Sequence, residues 1–379
     1  MNWKQAGDEV ISQLEKAGYE SYIVGGAVRD KWLDRIADDV DVSTRAKVKD
    51  IQSIFARTIE VGIQHGTVVV LIGRFPVQVS TFKGASIEED LGQRDFTINA
   101  LAETKNGKII DPFQGMDDLK KQQIRTVTGT EKPFIDDPLR LLRALRFSLQ
   151  LRFEIEPETQ ETMNTLSVLI KKSAKERIAA ELEKISKCPL DGKQWRWLFN
   201  QAVFNQLPYL FNYERLRVSL QTQRKSVTFV DERTWWSFAV YSPNIEEVNK
   251  ALRVYKRSNK LSKDVKEIQQ KVTQFANKHW SLFDLYTLGC DRLSVALQLL
   301  SHLQDEIDVA AWTNRYLQLP IKQKQELNIS GRDILNKYPG ISGSNIGKLI
   351  CKVEHAVVSS ELRNDKDVIL RWLERESFE

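Results

Sequence analysis

The chain has 379 residues, with 56 lysines and arginines against 51 aspartates and glutamates, a formal net charge of +5, three cysteines and four histidines. That length exceeds one compact core and predicts two to four domains. No apolar run spans a bilayer and no basic-then-apolar leader opens the chain, so cytoplasm is the expected compartment, while Cys188, Cys290 and Cys351 lack the paired spacing of a disulfide framework or zinc site.

An amphipathic helix is predicted over residues 3–17 and strands over 21–24, 39–43, 67–72, 77–81 and 108–111, with Asn106-Gly107 as a turn. After the first strand the chain reads Val24-Gly25-Gly26-Ala27-Val28-Arg29-Asp30. Two glycines let bare backbone N–H groups approach a polyanion, and Arg29 adds a planar fork of donors suited to phosphate. Asp39-Val40-Asp41 follows. On a strand this spacing turns both carboxylates to one face, where they can share hard cations such as Mg²⁺ that bridge to a substrate's phosphates.

The segment Gln93-Arg94-Asp95-Phe96-Thr97-Ile98-Asn99 has two readings. One is a helix start capped by Asp95; the other has Asp95 accept from a ribose hydroxyl while Arg94 binds phosphate or base. Asp136-Asp137-Pro138-Leu139-Arg140 opens a further helix, with Asp137 as cap and Arg140, Arg143 and Arg146 recurring every third residue as a basic stripe leaning outward. Asp137 and Arg140 together match a base that offers an amine beside an unprotonated ring nitrogen. Cytosine and adenine present that order; uracil and guanine reverse it.

After Pro133 helical periodicity continues almost throughout and no strand is expected. Lys250, Arg253, Lys256, Arg257, Lys260, Lys263, Lys266 and Lys271 form a basic run that reads as a solvated helix face or, in this company, a nucleic-acid surface. Gly343-Ser344-Asn345-Ile346-Gly347-Lys348-Leu349 has too short a glycine spacing for a P-loop and lacks its hydroxyl, so a helix is expected to begin near Ser344.

Taken together, these motifs, with His65-Gly66-Thr67, Asp111-Pro112-Phe113-Gln114-Gly115 and Glu176-Arg177-Ile178, resemble the class II tRNA nucleotidyltransferases, the enzymes that build the CCA end of tRNA. The resemblance implies an α+β fold: a polymerase β-like nucleotidyltransferase head (1–132), then an all-α neck (133–190), body (191–265) and tail (266–379). It further implies that Asp39 and Asp41 hold two Mg²⁺ ions and that Gly25, Gly26 and Arg29 bind the triphosphate of CTP. Arg94, Asp95 and Asn99 would serve phosphate and ribose, with Asp137 and Arg140, backed by Arg143 and Arg146, as an amino-acid template. The tail would grip the acceptor stem and T arm of tRNA.

Two departures from that family stand out. Gln78 replaces a third acidic residue on a following strand. Members that add all three nucleotides carry a long flexible loop after the strand ending Thr81-Phe82-Lys83, and here only Gly84-Ala85-Ser86-Ile87 leads into Glu88. This resembles the CC-adding branch, which works in series with a separate A-adding enzyme. The alternatives are a full CCA-adding enzyme, a poly(A) polymerase and a catalytically silent tRNA-binding protein.

Overall fold

The computed structural model describes residues 2–37, 39–60, 66–304 and 306–375, apart from the side chains of 276 and 277. His65 of the predicted motif lies outside them. The chain divides into two compact units, one made of residues 1–188 and 197–207, the other of 189–196 and 208–379.

The first unit is built on strands β1 (Ser21–Val24), β2 (Asp41–Thr44), β3 (Thr58–Glu60), β4 (Thr67–Ile72), β5 (Phe75–Thr81), β6 (Ala102–Glu103) and β7 (Ile109–Ile110), ordered β3-β4-β5-β2-β1-β6-β7 in one mixed sheet. Only β2 and β5 run parallel in it. Helix α1 (Trp3–Lys16) covers one face, burying Val10, Ile11 and Leu14. It approaches closely because Gly7 has no side chain: a Cβ there would stand 2.8 Å from Val40 and 3.2 Å from Ile23. With Ile23, Val40 and Val42 on that face, strand alternation turns Asp41 and Ser43 to the other. Gln78 pairs with Asp41 and Ser80 with Ser43 in register, so these two also point to the second face.

Alternation marked β1, β4 and β5 well, but the second strand begins at Asp41 rather than at Asp39. Val40 still accepts a bond from the Gln78 amide at 3.2 Å, while β1 ends at Val24 and supplies no partner for Asp39. Asp39 therefore precedes the ladder. The expected helix start at 95–101 is instead an extended segment followed by a single 3₁₀ turn, Thr97–Asn99. Its backbone is engaged elsewhere: the Thr97 amide donates to Arg125, the Val127 amide to Asp95, and Phe96 bridges Thr126.

On the second face lies α4 (Ile87–Gly92), while α2 (Gly26–Trp32) follows β1 and α3 (Val48–Ile54) follows β2 in the chain. The second-face core joins Val24, Phe82, Ile87, Leu91, Ala100 and Ala102. Helix α5 (Gly115–Lys121) leads to β8 (Gln123–Ile124), which pairs in parallel with β9 (Glu154–Ile155). That strand corrects the expectation of none after Pro133; two residues are too few to show an alternating pattern.

Helices α6 (Lys132–Asp136), α7 (Leu139–Leu151), α8 (Pro157–Thr165) and α9 (Lys175–Ser186) also belong to the first unit. Here the basic stripe does not lean outward along its whole length: Arg140 and Arg143 are half-buried and Arg146 is buried. Arg146 is 7% exposed, donates to Glu181 of α9, itself 2% exposed, and donates to Gln150 at 2.6 Å. The second unit is helical. Its centre stacks Trp195 on Trp235 with ring centroids 6.4 Å apart and sets Phe211, Phe229 and Phe238 around them. The basic run lies on helices Ile245–Val254 and Asn259–Asn277 and the turn between them, with Lys250, Arg253, Lys256, Lys260 and Lys263 exposed. Ser342 caps the helix Gly343–Val358, as expected near Ser344.

A buried ion pair loses most when one partner is removed, because the other charge stays behind uncompensated. Glu181→Ala is expected to destabilise the protein by about 3–5 kcal/mol, and replacing both partners (Arg146→Met with Glu181→Leu) to recover most of it, read from denaturant midpoints.

Candidate active site

Gly25 sits at φ 71° and ψ −128°, a conformation essentially closed to residues with a Cβ. Its amide donates to Leu101 at 3.0 Å, fixing the turn against the chain beyond the 3₁₀ segment. The missing side chain leaves room for another group: a Cβ at Gly25 would lie 2.6 Å from Nη1 of Arg94. Arg94 thus lies directly under the glycine turn. Among the described residues its Nη2 makes only long contacts, 3.4 Å to Ser43 and 3.5 Å to Asp90, and its buried Nε has no hydrogen-bond partner. A guanidinium so weakly engaged keeps donors for an incoming anion.

Asp41 stands beside this cation. Burial pushes its carboxyl up to about 6, the neighbouring charge of Asp39 adds to the rise, and Arg94 opposes it. Among the described residues neither Asp39 nor Asp41 has an ion-pair partner, and Gln78 alongside is neutral. A carboxyl whose proton affinity is raised by burial and by a neighbouring acid is suited to a hard divalent cation, which replaces the proton. No cluster of three or more His, Cys, Asp or Glu side chains suited to a metal occurs among the described residues. Mg²⁺ is content with one or two carboxylates when water and phosphate oxygens complete its shell, so this donor set fits it.

Next to this pair lies a closed set of buried polar contacts. Asp95, 6% exposed, accepts from the Phe96 amide at 2.8 Å and Asn99 Nδ2 at 3.0 Å through one oxygen, and from Arg143 Nε at 2.8 Å through the other. Burial alone would raise its pKa; the Arg143 charge and these hydrogen bonds prevail and hold the carboxyl well below the usual carboxylate range. Asn99 accepts in turn from Arg29 Nη1 at 2.6 Å. Arg29 is 4% exposed and gives its Nε to Asp30 at 2.9 Å, so it lies behind the glycine turn.

Where α6 meets α7, Asp137 accepts from the Leu139 amide at 3.2 Å, in keeping with a capping role, and from both terminal nitrogens of Arg177 at 3.2 and 2.8 Å. Arg140 donates to the carbonyls of Pro133 and Gln93 and so ties α7 to the residue preceding Arg94. The sequence reading missed Arg177, Ser43 and Asp90 as neighbours of these groups. Arg177 stood in a recognised motif, yet nothing in that motif's spacing names Asp137 as its partner.

Three family models cover most of the chain: "Poly A polymerase head domain" over residues 21–125, "Probable RNA and SrmB- binding site of polymerase A" over 152–211, and "tRNA nucleotidyltransferase domain 2" over 227–373. The CCA-adding enzyme of Bacillus cereus (strain Q1) is 34% identical over 385 residues, spanning 96% of both chains. The chain belongs to the CCA-adding enzyme family. The CCA-adding enzyme of Bacillus anthracis (strain CDC 684 / NRRL 3495) is 33% identical over 384 residues, again 96% of each chain. The Bacillus stearothermophilus CCA-adding enzyme, solved in complex with CTP, superposes with a TM-score of 0.79 at 30% identity, over 98% of this chain and 97% of that one. The Thermotoga maritima CCA-adding enzyme complexed with tRNA shares the fold, with a TM-score of 0.70 at 20% identity over 98% and 95% of the two chains. As a member, this protein is a tRNA nucleotidyltransferase.

The raised carboxyl of Asp41 gives a signed test. Its folded pKa, about 6, exceeds an unfolded value of about 4. In metal-free protein its contribution therefore favours the fold below about pH 4 and is lost as pH rises through about 6. Relative to Asp41→Asn, the wild type is expected to lose melting temperature across that window. Added Mg²⁺ above it should restore the loss in the wild type only.

Proposed function

We propose that this enzyme adds two cytidines from CTP to the 3′ end of tRNA, without a nucleic-acid template, and stops there. The observation that carries this reading is the connection between β5 and α4. Only residues 82–86 join the two elements, and they are held in place: the Lys83 amide donates to Asp90 at 2.9 Å, the Ala85 amide to Glu89 at 2.8 Å, and Arg45 to the Ala85 carbonyl at 3.0 Å. Ser86 then caps α4. A turn this short and this well bonded leaves no long mobile segment to reshape the site for a second nucleotide.

In this mechanism the tRNA 3′-hydroxyl attacks the α-phosphorus of CTP in line and pyrophosphate leaves. Gly25, Gly26 and Arg94 cradle the triphosphate, with Arg29 fixing Asn99 behind them, and Asp95 accepts from a ribose hydroxyl. Asp39 and Asp41 would hold Mg²⁺. When bound, it supplies charge neutralisation at the phosphates and a lowered pKa at the attacking hydroxyl. Asp137 and Arg140 read the base. Arg140 uses two of its five N–H donors and Asp137 three of about four acceptor positions, so each keeps capacity for cytosine.

The same reading takes the cytoplasm as the compartment. It divides the two units into head (1–132), neck (133–190), body (191–265) and tail (266–379), with the tRNA acceptor stem and T arm along body and tail and a separate A-adding enzyme acting next. A second reading, full CCA addition, is favoured by the activity named for the relatives and by adenine's matching hydrogen-bond order.

Incubating tRNA that ends at its discriminator base with CTP and ATP together separates them: a product longer by two nucleotides supports CC addition, and efficient extension by three overturns it in favour of CCA addition. Asp39→Ala or Asp41→Ala is expected to abolish transfer while tRNA binding, read by gel shift, persists. Arg140→Ala should erode the preference for CTP over UTP by about one order of magnitude or more, measured as the ratio of kcat/KM values.

A further inference from the structure

Phe147 lies on α7, 4% exposed, with its ring edge-on to Phe96 at 5.9 Å. Three guanidinium groups converge on it. Arg146 is 3.9 Å from the ring centroid, Arg29 is 5.2 Å away and Arg143 is 5.4 Å away. Three like charges drawn around one point repel, and two things offset this. Each has its own acid: Asp30 for Arg29, Asp95 for Arg143 and Glu181 for Arg146. The negative face of the ring they share attracts all three. Arg29 and Arg143 also close a circuit, since Arg29 donates to Asn99, Asn99 to Asp95, and Asp95 accepts from Arg143. The aromatic ring is the only link of that circuit with no polar atom.

We infer that Phe147 is a positioning residue for recognition of the nucleotide's ribose: by fixing Arg29 and Arg143 against one ring, it holds Asn99 and Asp95 so that Asp95 presents its carboxylate to a ribose hydroxyl in one orientation. The inference rests on the reading of Asp95 as the ribose-binding group, and its test separates the two. An aliphatic side chain at 147 would fill much of the volume but offer the guanidiniums no electron-rich face. Asp95 would then keep its partners while losing the constraint on where they sit.

The experiment measures kcat/KM for CTP and for dCTP with the full-length enzyme and tRNA lacking its CCA end, together with the melting temperature of each variant. Asp95→Asn is expected to lose the preference for CTP over dCTP. Phe147→Leu should lower that preference by about tenfold, through a raised KM for CTP rather than a lowered kcat, and Phe147→Tyr, which keeps the ring, should retain it. Arg29→Lys, which keeps the charge but not the flat group on the ring, should shift the preference in the same direction and gives a second arm if Phe147→Leu does not fold. A preference unchanged in Phe147→Leu, or in Arg29→Lys should the leucine variant not fold, while Asp95→Asn loses it, overturns the inference and leaves the Asp95 reading standing. A preference unchanged in Asp95→Asn overturns both.

Discussion

The ion pair between Asp95 and Arg143 is the contact on which the arrangement of the site depends. A carboxylate 6% exposed stays ionised only where cations and amides meet it, and Asp95 receives Arg143 from α7 together with Asn99 and the Phe96 amide from its own segment. Because Arg143 belongs to the helix that also carries Arg140, Arg146 and Phe147, this pair fixes α7 against the extended stretch at 95–96. That stretch is in turn bonded to residues 125–127, and the 3₁₀ turn after it delivers Asn99 to Arg29 and the Leu101 carbonyl to Gly25.

Charged groups here fall into two kinds. Those of the Asp95 circuit are held by short bonds, as suits groups that must hold a fixed direction before substrate arrives. Asp39, Asp41 and Arg94 are different: the acids have no ion-pair partner among the described residues, and the cation has only long contacts and an unbonded Nε. A polar group left unsatisfied in this way costs stability, and the cost concentrates where a metal and a polyanion would remove it.

Much of this was legible in the chain. The glycine pair after an apolar strand, the alternating acids and the alternation of β4 and β5 each announce themselves over four or more residues, and the motifs carried the family. What stayed hidden has a common physical reason. Strands of two residues such as β6 and β9 are too short for a period, and the extended backbone at Asp95–Phe96 exists only because residues 125–127 pair with it. The arginines of α7 recur every third residue like a solvated stripe. Yet the buried partners Glu181 and Asp95 are 35 and 48 positions away in sequence, and no local pattern names them. Phe147 looks like any core aromatic until the guanidiniums around it are seen.

The turn at 82–86 is fixed largely by surface bonds, including the exposed contact from Arg45. Enlarging such a surface connection severalfold costs only about 1 kcal/mol in closure entropy, since each doubling adds little. Insertions and deletions at this point can therefore pass through evolution with almost no penalty to the scaffold. On the proposed reading, a lineage exchanges one polymer length for another in its product by an event that leaves the sheet, the acids and the neck untouched.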